Sequence, residues 1–384
     1  MNVEPFTIAV PDEQLDDLRR RLRHTRWPET MAGAGWQDGT DAAFLRRLTE
    51  HWQTGFDWRA QEARLNALPQ FVTELDGHRI HFVHQRGTGP APLPLVVTHG
   101  WPGSFVEMER IIPLLTDPGG HGGDPADAFD IVVPSLPGFG FSPAPSRPGF
   151  DSREVAGLWA GLMTGLGYQR FGAQGGDLGA GVSMWLAHDF SDRVAGAHIN
   201  FVPGSYRPPL GAGQPPLAAD EQAFLDATAA WAEAEGAYGH LHRTKPQTLA
   251  FALTDSPVGL ASWIVEKFRA WSDCGGDVER AFTLDALLTN ISVYWFTGTI
   301  GSSMRFYREN RLRPLRFAVG ERVSPPLGVA LFPHELPMPP RSWLARVFDV
   351  ARWTPMPRGG HFAAMEAPEL LADDIRALFR PLRG

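Results

Sequence analysis

The chain has 384 residues, too many for one small domain and enough for a large core with additions. Hydrophobic residues make up 43% and charged residues 20%, which gives a globular chain enough apolar mass for a core. The net charge of −8 offers no basic surface, which excludes nucleic acid as a partner class.

Residues 1–68 are expected to form an N-terminal helical meander packed on the core. Asp12 opens a segment with Leu15, Leu18 and Leu22 on one helical face. Asp41 opens a second with Leu45, Leu48 and Trp52 on one face, and Asp57 a third that runs to Leu68. At Phe71 the pattern changes. Phe71 to Leu75 and Arg79 to His84 flank Asp76-Gly77, a hairpin signal. Short apolar runs ended by Gly or Pro follow: Leu93 to Thr98, Phe129 to Pro134, Arg170 to Gln174 and Val194 to Phe201. Helical segments separate them, which predicts an α/β class with a mostly parallel sheet and helices on both faces. Pro118 to Pro125 is Gly-rich and reads as a surface loop.

Strand signals stop after Pro203. Ala218 to Arg311 reads as helix and loop, and strands return at Pro326 to Phe332 and Val350 to Met356. The predicted organisation is therefore a core of 69–203 and 313–384 with a helical lid at 204–312. Leu284 to Met304 is the most apolar long stretch. Asp285, Asn290 and two glycines interrupt it, so it is read as a buried helix and no membrane partner is expected. Residues 1–11 lack a basic segment followed by an apolar one, so no signal peptide is expected. Cys274 is the single cysteine, which excludes an intrachain disulfide and a cysteine-based metal site and fits a cytoplasmic setting.

The chemistry centres on Gly175-Gly176-Asp177-Leu178-Gly179, between a strand and a helix whose Leu178, Val182 and Trp185 share a face. Small residues there permit the sharp turn of a nucleophile elbow. An Asp in place of the usual Ser needs no base to ionise it, and a helix N-terminus favours the anion further. Such a carboxylate can form an ester with an sp³ carbon, which must then be hydrolysed. Taken alone, Asp177 also fits a plain helix N-cap. Its partners decide. Glu335 and His361 each follow a predicted strand, and the order Asp, Glu, His is that of an α/β-hydrolase triad. His99-Gly100-Trp101-Pro102-Gly103-Ser104 follows another strand. The Trp101 N–H can pair with that of Leu178 as an oxyanion hole. Trp101, Pro102 and Tyr206 are expected to line the substrate site.

These segments, with Leu136 to Ser142, Thr244-Lys245-Pro246, Asp255 to Leu260, Arg305 to Asn310 and Arg358 to Ala364, span nearly the whole chain. Together they resemble the microsomal and juvenile-hormone type of epoxide hydrolases, in a soluble bacterial branch. The resemblance implies the α/β-hydrolase fold and two lid tyrosines that hydrogen-bond the epoxide oxygen, here Tyr238 and Tyr307. An alkoxide leaving group needs an acid, and a phenol can supply it. The expected reaction turns an epoxide into a vicinal diol through an Asp177 ester, with His361 and Glu335 activating water. No metal or organic cofactor is implied, and the partners are a small-molecule epoxide and water. The oligomeric state is not legible, although a homodimer is entertained. Trp231, Trp263, Trp271, Trp295 and Phe268 suit an apolar or aromatic epoxide, but equally suit a lid core. Biosynthetic tailoring and detoxification are both compatible roles.

The chain departs from the family pattern at Leu178, where such enzymes usually carry Trp, and the N-terminal anchor often found in the microsomal type is not expected here. The alternatives are a haloalkane dehalogenase and a non-catalytic hydrolase-fold binding protein. A dehalogenase commonly holds halide with a Trp after the nucleophile, and Leu178 has no side-chain N–H.

Overall fold

The computed structural model describes residues 1–211 and 213–383. One nine-stranded sheet runs through it in the order β1-β2-β3-β5-β4-β6-β7-β8-β9. The strands are β1 (Val3–Pro5), β2 (Gln70–Leu75), β3 (His78–Gln85), β4 (Leu93–Thr98), β5 (Phe129–Pro134), β6 (Phe171–Gly175), β7 (Val194–Ile199), β8 (Val323–Leu331) and β9 (Phe348–Pro355). From β5 to β9 every neighbouring pair is parallel, and β1, β2, β3 and β5 pair antiparallel. Asp76 and Gly77, both at positive φ, close the β2–β3 hairpin as their sequence predicts.

Successive strand residues point to opposite faces, and each face has its own core. Val96, Val132 and Ala173 belong to one cluster, with the helices Ser152–Gly165 and Asp177–Asp189. Leu95, Val97, Ile131 and Val133 belong to the other, with the helices Ile111–Thr116 and Pro368–Phe379. Each such Val, Leu or Ile side chain, buried fully, contributes about 1.5–3 kcal/mol.

Between β7 and β8 the chain leaves the sheet for six helices from Ala219 to Leu312. The apolar stretch at 284–304 is two helices, Leu284–Thr297 and Ile300–Leu312, where one was expected. Gly298, at φ 64°, ends the first in the left-handed conformation that glycine adopts without steric cost. Among the described residues no single helix is long and apolar enough to cross a membrane. Pro246–Asp255 and Pro257–Trp271 reach that length and composition only as a pair, bent by 117°.

Two expectations for residues 1–68 change. First, the segment begins with a strand, β1, too short to show alternation. Second, its helices pack on the lid as well as on the core, where Leu15, Trp58 and Leu65 share a cluster with Val83, Leu95 and Ile131 of the sheet. Trp52 Nε1 donates to Ser292 Oγ at 3.1 Å, Thr40 Oγ1 to the Ser262 carbonyl at 2.8 Å, and Arg21 Nη1 to Asp255 Oδ1 at 2.8 Å. The apolar faces predicted from Leu18, Leu22, Leu48 and Trp52 are real, and they share a cluster with Ile264, Val265 and Ile291 of the lid. The meander thus braces the lid from outside.

Candidate functional site

β6 ends at Gly175, and the helix Asp177–Asp189 begins two residues later. Asp177 sits between them at φ 46°, a left-handed conformation that costs a non-glycine residue about 1–3 kcal/mol. The glycines are steric requirements. A Cβ on Gly175 would lie 2.2 Å from the Gly179 backbone, one on Gly179 2.0 Å from the Thr98 carbonyl oxygen, and one on Gly100 2.3 Å from the Asp177 Cβ. The elbow therefore presses against the end of β4, and the Trp101 N–H donates to Asp177 Oδ1 at 2.7 Å.

The other predicted residues converge there. Glu335 follows β8 and His361 follows β9. Their loops are held together by a bridge between His334 and Gly360. His361 Nδ1 meets Glu335 Oε1 at 2.7 Å, and His361 Nε2 stands 3.7 Å from Asp177 Oδ2. The His361 N–H donates to the Trp271 carbonyl at 2.9 Å, which ties the histidine loop to the lid.

From the lid, Tyr238 stacks on Trp101 with centroids 5.3 Å apart and an 11° interplanar angle. Tyr307 lies edge-on to both, 5.9 Å from Trp101 and 6.0 Å from Tyr238. The Tyr307 hydroxyl is buried without a hydrogen-bond partner. Trp271 closes the wall, 5.1 Å from Tyr238 and 5.0 Å from His361. Among the described residues no cluster of His, Cys, Asp and Glu is placed to hold a metal ion.

Residues 3–108 match the family model for the epoxide hydrolase N terminus, and residues 94–234 match that for the α/β-hydrolase fold. A protein of Stigmatella aurantiaca is 46% identical over 383 residues, covering 100% of this chain and 86% of its own. Epoxide hydrolase 1 of Oryctolagus cuniculus is 39% identical over 399 residues, covering 97% of this chain and 88% of its own. The Aspergillus niger epoxide hydrolase structure superposes with a TM-score of 0.85 at 33% identity, covering 100% of this chain and 97% of that one. The chain belongs to the epoxide hydrolases.

In this epoxide hydrolase burial works against the anion of Asp177. It raises the carboxyl above its ordinary value, opposed by His361 and by the N–H groups of Trp101 and Leu178. The expected gain from the helix N-terminus is thus outweighed by desolvation. Burial also opposes charge on His361, yet Glu335, Asp177 and Glu107 together lift it to about 9. The imidazole is therefore protonated at neutral pH while Asp177 is an anion. If Asp177 lost its charge, one support of that high value would vanish and His361 would become a better base. Asp177→Asn is accordingly expected to lower the His361 pKa from about 9, read by ¹⁵N NMR of the imidazole. An unchanged titration contradicts the coupling. Burial first, and the Asp177 charge with it, pushes both Tyr238 and Tyr307 up, so each hydroxyl keeps its proton.

One predicted contact is not at the site. Tyr206 packs against Phe317 and Phe348 and donates to the Trp343 carbonyl at 3.3 Å. The bridge between Arg207 and Arg316 pins the chain there, behind the site, so Tyr206 lines no substrate wall. Pro102 turns its carbonyl to Asn290 Nδ2 at 2.8 Å. Its loop is clamped from the lid by Asn290 and by Tyr294, whose hydroxyl donates to the Gly103 carbonyl at 2.7 Å. Of the lid aromatics, Trp271 alone joins the wall beside His361. Phe268 stacks on Phe362 at 4.0 Å, and Trp263 Nε1 donates to His242 Nε2 at 3.1 Å.

Sequence reasoning missed Glu107, Gln174 and Asn200, which line the cavity with Asp177 and His361. Gln174 Nε2 donates to Asn200 Oδ1 at 3.1 Å, across the ends of β6 and β7. Their positions just after, or at the end of, buried strands were the available signal. His242 was missed too. It is buried and stands edge-on to Trp101 at 4.6 Å and to Tyr307 at 4.9 Å. Burial lowers it to about 3, so it packs the tyrosine pair as a neutral ring.

Proposed function

We propose that this epoxide hydrolase opens an apolar or aromatic epoxide through a covalent ester on Asp177 and releases a vicinal diol. The observation that carries the reading is the pair of protonated phenols, Tyr238 and Tyr307, beside a carboxylate elbow. A ring oxygen needs a proton as it leaves, and a halide does not.

Asp177 Oδ1 is engaged by the Trp101 N–H, so Oδ2 is the attacking atom. It forms a bond to one ring carbon, the ring C–O bond breaks, and the alkoxide takes a proton from the tyrosine pair. The ester leaves His361 without the Asp177 charge; its imidazolium gives up its proton, which returns through solvent to the tyrosinate, and the neutral ring is then ready to act as base. His361 takes a proton from water, and the hydroxide adds to the Asp177 carbonyl carbon. The N–H groups of Trp101 and Leu178 hold the resulting oxyanion on Oδ1. Collapse breaks the ester bond, and the proton of the new Asp177 carboxyl goes to the departing alkoxide, which frees the diol. His361 is again protonated beside the Asp177 anion, as at the start, so the sum is epoxide plus water to diol. Glu335 orients the imidazole and stabilises its charge, as the acidic member of a triad does.

One observation favours a second reading. The indole N–H groups of Trp101 and Trp271 are buried without partners and could receive a halide. The test sets aryl and alkyl epoxides beside chloroalkanes. Diol from the epoxides without halide release is the expected result. Halide release without diol formation would transfer the reading to dehalogenation.

A further inference from the structure

Glu107 lies on the short helix Phe105–Arg110 that follows the Trp101 loop, and it is buried. The chain makes room for its carboxyl. A Cβ on Gly103 would sit 1.2 Å from Glu107 Oε1, so the carboxyl occupies the space that the glycine leaves open. Glu107, Gln174, Asp177, Asn200 and His361, with His99, are the polar side chains lining a cavity of about 20 Å³. That volume holds about one water, which needs two to four polar partners. Gln174 Oε1 is buried there with no hydrogen-bond partner. Tyr238 and Tyr307 do not line this cavity. Asp177 and Trp101 line this cavity, and Trp101 in turn packs against Tyr238 and Tyr307.

We propose that this cavity holds the water that hydrolyses the ester, and that Glu107 is the residue that positions it. His361 takes one hydrogen of that water, while the carbonyl oxygen of the Glu107 carboxyl accepts the other. The lone pair is thereby aimed at the Asp177 carbonyl carbon. Burial is the main reason Glu107 rises to about 8, with Asp177 adding to it and His361 opposing. A neutral carboxyl keeps a carbonyl acceptor without placing a second anion beside the oxyanion. The titratable groups coupled to it are Asp177, His361 and Tyr294. The inference rests on the covalent reading above, so its test separates the two half-reactions.

Pre-steady-state kinetics with an aryl epoxide, with mass spectrometry of the intact enzyme, read both steps. Glu107→Leu is expected to slow ester hydrolysis by about 100-fold, the cost of a displaced reactant. Alkylation should stay within about threefold, so ester accumulates in the steady state. Glu107→Gln keeps a carbonyl and is expected to recover about tenfold of the loss. Equal slowing of both steps, or no effect on either, overturns the proposal. So does a glutamine variant as slow as the leucine one. Should the leucine variant fail to fold, the glutamine variant carries the test alone. Its hydrolysis step should lose one ionisation from the pH profile while the alkylation profile keeps its shape, and an unchanged hydrolysis profile overturns the proposal. His361→Gln is the control. If it forms no ester, the covalent reading falls and the proposal with it. If it forms ester while Glu107 variants behave as wild type, only the placement of Glu107 falls.

Discussion

His361→Gln is expected to consume about one equivalent of epoxide per enzyme and then stop, with the mass of the protein raised by that of the epoxide. Attack by Asp177 needs no base, since the carboxylate is held by the Trp101 N–H and flanked by His361 rather than deprotonated by it. Hydrolysis of the ester does need one. Removing a positioned general base costs about 10²–10⁴-fold, and that loss should fall on kcat. Glutamine also leaves Glu335 buried without its imidazole partner, so thermal stability should fall. A variant that unfolds is told apart from one that stalls by the adduct itself, which only a folded site can form. Absence of adduct in folded protein contradicts the assignment.

The second large effect is expected from the tyrosines. Tyr238→Phe and Tyr307→Phe each remove one hydroxyl while keeping the ring packed on Trp101. Either survivor can still donate, so each single variant should lose about 10–100-fold in kcat/KM, less than the full value of a donor at a developing oxyanion. The double variant has no acid left and should lose roughly 10³-fold or more. Where the single losses are near tenfold, their product of about 10²-fold is exceeded, because residues serving one atom do not act independently. Loss should grow with leaving-group basicity, so epoxides that open to poorly stabilised alkoxides suffer most. Double and single variants of equal activity would contradict a shared role.

The parts of the molecule legible in the sequence are those governed by local chemistry. The β2–β3 hairpin follows from Asp76-Gly77, and β4 and β5 have the predicted bounds because buried parallel strands are continuous apolar runs. Asp177, Glu335 and His361 were legible because each directly follows a strand, at the one edge of a parallel sheet where loops converge. Tyr238 and Tyr307 were legible only through family resemblance, since an aromatic on a lid helix has no local mark of its role. What could not be read depends on long-range packing. The meander helices show which face is apolar but not whether core or lid will cover it. Tyr206 opens the insertion in sequence, yet its ring turns back onto Phe317 and onto Phe348 of β9. Glu107 looks like any charge on a surface turn. Only the fold reveals that it is buried over Gly103 beside His361.

The origin of the second diol oxygen tests the central assignment most directly. In a single turnover in ¹⁸O-water, with enzyme in excess, the diol is expected to carry no label. The new hydroxyl then comes from the Asp177 carboxylate, and the label appears in the peptide containing Asp177. Over many turnovers both become labelled. Label in the diol of the first turnover, with none in Asp177, would mean direct attack by water on the epoxide and would contradict the covalent ester.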